Sequence, residues 1–399
     1  MEETINVKYQ LKISLPIAFE SLINILMTLV DTLVISLVGT KELAALGAMT
    51  VILNLMQMSI QSINVSNNTL VAKSLGEGNL NKSKLITGNS IILTLFISII
   101  TIVLIAFIQP VFPILFNVDT IAISYLTIRL FGFIQSSIVT VLSGHQRTVG
   151  NQKNIMYLRI FAVLLNLILD IIAVKNGYEI KGVALVTVFI DTLLALYLII
   201  YSRNNVKIKF INEYFKDVVK LFKWNFVERI VSRMDNFIFN LIVARMGNLE
   251  YSIHVILIQI ANIYESFIQG FGDGITISVG IVTGKKDNKY MLKVKDAAKK
   301  LIRYSSIVLP LFLIGCYITM SATYYFSILR GFRDFKFLAK RNIVSSTIKI
   351  FVATILSYTS LGIVGVWIGY LAYGIMQKYL SKTRYKKLTL EAKNYERFN

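Results

Sequence analysis

Apolar runs of 18 or more residues, separated by short polar clusters, follow one another along nearly the whole chain. A helix rises about 1.5 Å per residue, so each run reaches across a hydrocarbon core of about 30 Å. Only segments that pair their own backbone polar groups are tolerated there, which selects helices over open strands. The pattern predicts spans near 14–36, 48–71, 87–108, 120–142, 156–174, 182–201, 224–245, 251–281, 343–360 and 362–379, with a further apolar segment over 304–329. The expected class is an all-α polytopic membrane protein.

The distribution of Lys and Arg orients these spans, because basic connections are retained in the cytoplasm. With the N-terminus inside, basic residues fall in the tail (Lys8, Lys12), the 72–86 loop (Lys73, Lys82, Lys84) and the 146–159 loop (Arg147, Lys153, Arg159). The longer 203–223 and 284–303 connections hold six and eight more, whereas the opposite side offers only Lys41, Lys175, Lys181 and Arg245. A multi-pass protein of the cytoplasmic membrane with both termini inside is therefore expected. Composition agrees: 55% of the residues are hydrophobic and 16% charged, against about 25% charged in soluble domains, and the mean hydropathy is +0.64. The net charge of +20 is what topology and an anionic inner leaflet select, and no nucleic-acid-binding module is recognisable, so no nucleic-acid partner is expected. The opening MEETINVKYQLKIS lacks the short apolar core and cleavage site of a removable signal peptide. Cys316 is the only cysteine and reads as a packing residue.

The chain also repeats itself. PIAFESLINILMTLVDTLVISLVGTKELAAL at 16–46 aligns with NFVERIVSRMDNFIFNLIVARMGNLEYSIHV at 225–255, placing Glu20 on Glu228, Gly39 on Gly247 and Gly76 on Gly284, each 208 residues apart. Further along, Arg147 falls on Arg330 and Gly182 on Gly365, now 183 apart, so the second copy is 25 residues shorter between about 303 and 330. Six crossings make a complete copy, an even number, so the two copies are parallel repeats. The expected organisation is an N-terminal lobe over 1–203, an interlobe linker over 204–223, a truncated C-terminal lobe over 224–380 and a cytoplasmic tail over 381–399.

An aspartate near the bilayer centre costs about 2.5–3.5 kcal/mol on insertion scales, so each one asks for a reason. Asp31 lies 17 residues into an outward-running span and Asp170 lies 14 residues into another, which places them at about 26 and 21 Å from the inner edge. Asn166 precedes Asp170 by one helical turn and shares its face. Thr187, early in the returning span, sits about 8 Å below the outer edge. Two carboxylates, a carboxamide and a hydroxyl form a hard oxygen cluster suited to a proton or sodium ion. Hydrogen bonding between neighbouring helices is the alternative use of the same groups. Asp191 is also intramembrane, on a face that spacing does not fix, and Glu20 is close enough to the inner edge to snorkel.

The run LVDTLVISLVGTKELAALGA, the loop VAKSLGEGN, the segment GHQRTVGNQ and the stretch NLILDIIAVKNGYEIKGVALVTV together resemble a bacterial exporter of the multidrug and toxic compound extrusion (MATE) family. FVERIVSRMDNFIFNLIVARMG and IYESFIQGFGDGITISVGIVTGK resemble that family's seventh and eighth helices. The resemblance implies a monomeric two-lobed antiporter without organic cofactor, driven by protons or sodium, that exports cationic or amphiphilic small molecules. One prokaryotic branch builds its cation site from an aspartate in the first helix, Asn-x-x-x-Asp in the fifth and a threonine in the sixth. Asp31, Asn166, Asp170 and Thr187 match that pattern.

In the second copy, Glu228 and Asp235 share a helix face, with Arg229 and Arg233 near enough on the same helix to pair with them. Together with Asp191 and with Glu265, which could line a central cleft, they are further candidates for coupling or substrate contact. Asp273 is expected near the inner surface. His145 and His254 lack metal-ligand spacing, and no metal site is expected beyond sodium at the four-residue cluster. Gly76–Glu77–Gly78 lacks the flanking strand of a phosphate cradle, and no HExxH or GxSxG motif points to an enzyme. A lipid-linked saccharide flippase of the same superfamily and a non-transporting truncated remnant are the competing functions. Only 26 residues separate Arg303 from Arg330, about 39 Å of helix, too little for two crossings and a turn. A bent, re-entrant 304–329 with Pro310 and Gly315 as breakers would keep the basic RGFRDFKFLAKR loop inside.

Overall fold

The computed structural model describes residues 6–116, 120–308 and 314–397, all helical apart from turns and short connections. In chain order the helices are α1 (Val7–Ser36), α2 (Thr40–Gly76), α3 (Leu80–Ile108), α4 (Phe112–Phe116), α5 (Ile121–Phe131), α6 (Phe133–Thr148), α7 (Gln152–Lys175) and α8 (Glu179–Ser202). They continue with α9 (Asn212–Ala244), α10 (Asn248–Lys285), α11 (Asn288–Val308), α12 (Ile314–Gly331), α13 (Phe335–Ser357) and α14 (Gly362–Arg397). Among the described residues, five helices are long and apolar enough to cross a membrane, six spans if α5 and α6 count as one bent span, and all precede Arg203. The single span expected over 120–142 is this bent pair. It breaks by 48° at Gly132, where an added Cβ would press on Val188 of α8 at 2.5 Å.

The repeat is visible in the backbone. α1 and α9 end at Ser36 and Ala244, α2 and α10 begin at Thr40 and Asn248, and α3 and α11 begin at Leu80 and Asn288, each pair 208 residues apart. α6 and α12 end at Thr148 and Gly331, α7 and α13 begin at Gln152 and Phe335, and α8 and α14 begin at Glu179 and Gly362, each pair 183 apart. Even the left-handed turns correspond: Gly78 (φ 72°) matches Lys286 (φ 54°), and Gly150 (φ 102°) matches Arg333 (φ 63°). Such a φ is strained for a side-chain-bearing residue, so its retention at Lys286 and Arg333 marks turns imposed by the fold. The shortening falls between α11 and α12. Of the bent element expected over 304–329, residues 309–313 with Pro310 lie outside the described residues, and Gly315 is inside α12.

The chain forms two compact units, one of residues 19–222 and one of residues up to Ala18 together with those from Lys223 onward. In the first, α2, α3, α6 and α8 pack around a core that includes Met49, Ile60, Ile63, Leu126, Val141 and Leu198. Apolar residues on the outer face of α3, among them Phe96, Ile99, Val103 and Phe107, stay exposed, as a lipid-facing helix requires. The segment before α9 is strapped onto α3: Lys207 N–H donates to the Lys84 carbonyl at 3.2 Å, and Ile211 N–H to Asn89 Oδ1 at 2.9 Å. In the second unit, α12 packs between α10 and α14, and α13 lies along α14. The start of α1 meets α10 where Gly270 and Gly274 bring backbones together; a Cβ at either would strike Ala18 or Ser14.

Candidate functional site

Helices α1, α5, α7 and α8 of the first unit bring the candidate acids together. Asn166 and Asp170 are fully buried one turn apart on α7, and Thr187 and Asp191 are buried on α8. The Asp31 carboxyl, from α1, lies within hydrogen-bonding range of the Asp170 carboxyl. The guanidinium of Arg129 on α5 is in electrostatic reach of Asp31, Asp170 and Asp191. Among the described residues no donor reaches either oxygen of Asp170, and the Asn166 amide has neither a donor for its oxygen nor an acceptor for its nitrogen. The Thr187 hydroxyl donates to its own helix at Val183 O, 2.9 Å away, so only its lone pairs remain to serve a ligand.

Buried polar groups left without partners are rare in folded proteins. Two carboxyls in contact, next to an unsatisfied amide, call for a proton or cation between them. A proton or small cation shared between the two carboxyls would relieve the repulsion that two adjacent carboxylates suffer in a buried setting.

Asp191 belongs to the same electrostatic cluster. It is in electrostatic reach of Asp31, Arg129 and Arg159 and within hydrogen-bonding range of the Ser136 hydroxyl, which in turn accepts from Gln57 Nε2 at 2.9 Å. Gln57 was not among the candidates, and Arg129 stood out only as a basic residue within the first lobe's spans. An arginine inside an apolar span was the available signal, and only its position near three acids gives it a role. Glu20 requires a correction. Instead of snorkelling to water it is buried, 1% exposed, held by Arg147 Nη1 at 2.7 Å and by Arg159 Nε at 3.8 Å. Two guanidiniums from α6 and α7 replace the solvent it would otherwise seek.

In the second unit the acids pair mainly across helices. Asp235 forms an ion pair with Lys349 of α13 at 3.3 Å and accepts from Ser346 at 3.1 Å. Glu228 lies 4.0 Å from Arg341, also on α13. The partners expected from their own helix are thus displaced as principal partners, although Arg229 remains in electrostatic reach of Glu228. Glu265 accepts a hydrogen bond from the Tyr370 hydroxyl. Asp273 pairs with Arg330 at 3.4 Å, at the end of α12. His145 meets Thr87 Oγ1 at 2.8 Å and His254 meets Asn240 Oδ1 at 3.0 Å. Among the described residues no group of three or more His, Cys, Asp or Glu is arranged to hold a metal ion. Lys349 is the residue that sequence reasoning missed: an ammonium 1% exposed within an expected span.

Residues 16–172 match the MatE family. A probable multidrug resistance protein NorM of Thermotoga maritima is 23% identical over 317 residues, 72% of this chain; the chain spans 65% of that relative's length. Among solved structures, a MATE protein in complex with MaD3S superposes with a TM-score of 0.86 at 17% identity, covering 98% of this chain and 99% of that one. A MATE protein in the bent conformation gives 0.87 at 16%, with the same coverage. A MOP superfamily transporter from Pyrococcus furiosus, whose binding pocket is described as having reverse polarity, gives 0.86 at 16%, again covering 98% and 99%.

Proposed function

We propose that this chain, which belongs with the MATE family by its matched first copy and its fold, is a cation-coupled antiporter of the cytoplasmic membrane exporting cationic or amphiphilic small molecules. The observation that carries this reading is the contact between the Asp31 and Asp170 carboxyls, with the unsatisfied Asn166 amide beside them. A proton or sodium ion arriving there neutralises part of the charge and draws α1 against α7. Its departure leaves two carboxylates facing each other across a low-dielectric interior, where like charges repel strongly. Helix α1 is covalently part of both units, so a displacement at Asp31 is carried along one continuous helix. Asn166 supplies a carbonyl oxygen to the ion, and Arg129 supplies a fixed countercharge.

A saccharide-lipid flippase would need free cations inside the spans to hold a pyrophosphate. Arg129 instead faces three carboxyls and Lys349 is committed to Asp235, which weighs against that alternative. The test is efflux of a cationic dye from proteoliposomes energised by a proton gradient or a sodium gradient in turn. Wild-type protein is expected to respond to one of them. Asp31→Asn and Asp170→Asn are expected to reduce driven efflux at least tenfold while eluting as folded monomers. Undiminished efflux in both variants would show the carboxyls to be structural, and no transport or counterflow by the wild type would leave the remnant reading standing.

A further inference from the structure

The spacings that match helix ends also carry the first unit's cluster onto the second. Asp31 maps to Phe239 across 208 residues, and Asn166, Asp170 and Thr187 map to Lys349, Ala353 and Tyr370 across 183. The structure brings these counterparts together. Lys349 Nζ lies 4.3 Å from the Phe239 ring centroid and 5.2 Å from that of Tyr370, and Ala353 shares a core cluster with Phe239, with Tyr370 packed against it. Where the first unit has two carboxyls and an unpartnered amide, the second has two rings, a methyl group and an ammonium.

That ammonium already has partners of the kinds that would recognise a free one. Asp235 Oδ1 is 3.3 Å away, Asn236 Oδ1 3.2 Å, and the Tyr373 ring centroid 5.4 Å. Glu265, hydrogen-bonded by Tyr370, lies within electrostatic reach. A carboxylate, an amide oxygen and three aromatic faces are the chemistry by which proteins bind ammonium ligands. A charge buried this deeply is costly unless paired and hydrogen-bonded, and here the pairing comes from α9 while the charge comes from α13.

We propose that the second unit retains an ammonium-binding site at the position repeating the first unit's cluster, with the side chain of Lys349 as its tethered occupant and primary alkylammonium ions as its ligand class. Because the tether cannot leave, this site exchanges no ion, and ion coupling is left to the first unit. Only that last step rests on the coupling role proposed for Asp31 and Asp170; the seat itself stands on the second unit.

The experiment uses the full chain carrying Lys349→Ala, in which the removed atoms are those of n-propylammonium. Its thermal midpoint in detergent is expected to fall, and n-propylammonium is expected to restore at least half of the loss saturably. Neutral n-propanol is expected to restore none, and wild type and Lys349→Ala/Asp235→Asn are expected to show no response to the amine. Equal effects of amine and alcohol, or of the amine on variant and wild type, would overturn the proposal. Should Lys349→Ala not fold, the yields of folded Lys349→Arg and Lys349→Met decide: an ammonium seat keeps the first and loses the second, and equal yields refute it. None of these readouts involves transport, so failure of the Asp31 variant to lose efflux leaves this result independent.

Discussion

Substituting Glu20 separates a buried ionic node from a surface pair. Its carboxylate, 1% exposed, draws together α1, α6 and α7 through Arg147 at 2.7 Å and Arg159 at 3.8 Å. At an effective dielectric of about 20, Coulomb attraction at those separations is about 6 and about 4 kcal/mol. Desolvation of the three groups opposes most of it, so the measurable quantity is the penalty for leaving a charge unanswered, about 3–5 kcal/mol. Glu20→Gln leaves two guanidiniums facing one another around a neutral amide. Arg147→Gln leaves Glu20 with the more distant Arg159, and Arg159→Gln leaves the short contact intact. The expected order of destabilisation is therefore Glu20→Gln, then Arg147→Gln, then Arg159→Gln. Equilibrium unfolding in mixed micelles measures each, and a Glu20/Arg147 double-mutant cycle isolates the pair. A Glu20→Gln variant within about 0.5 kcal/mol of wild type, the range of surface changes, or a reversed order, would refute the node.

Two further outcomes test the site and the topology. Arg129→Gln removes the fixed countercharge shared by Asp31, Asp170 and Asp191; dye efflux is expected to fall about tenfold, equivalent to about 1.4 kcal/mol, and to recover in part when Asp191→Asn is added. Unchanged efflux in Arg129→Gln shows that the guanidinium takes no part. Lys336→Cys in a Cys316→Ser background is expected to resist membrane-impermeant maleimide in intact cells, because Lys336, in the first turn of α13, belongs to the basic cluster that the positive-inside tendency would keep in the cytoplasm. Labelling from outside would mean that the segment before it crosses once.

Backbone features were legible because they are local and repeated. The Glu20/Glu228, Gly39/Gly247 and Arg147/Arg330 anchors gave spacings that recur in helix ends and left-handed turns. The bend in the fourth span was not legible, since Gly132 interrupts no apolar run and only Val188 on another helix reveals the close approach. In the site, Asn166 and Asp170 followed from one helical turn, and the meeting of Asp31 with Asp170 agreed with their depths. Depth carries no azimuth, so the face of Asp191 stayed open until α6 and α5 were seen beside it.

The partners of buried charges were the least legible part, for one physical reason. A charge inside a bilayer must be answered, and answering it within its own helix is restricted to positions three or four residues away. Arg229, adjacent to Glu228 in sequence, stays within its electrostatic reach, but α13 supplies Arg341 from 113 residues later. Asp235 is answered from the same helix by Lys349, 114 residues later, and Glu20 by Arg147 across 127. Reading along one helix therefore finds acids but not their counter-ions. The repeat offered the missing second coordinate: carrying Asn166 forward by 183 residues lands on Lys349, an ammonium in the position of an amide. A duplicated chain thus exposes its exceptions, because a position that is oxygen-rich in one copy and cationic in the other implies that the two copies satisfy the same seat by different means.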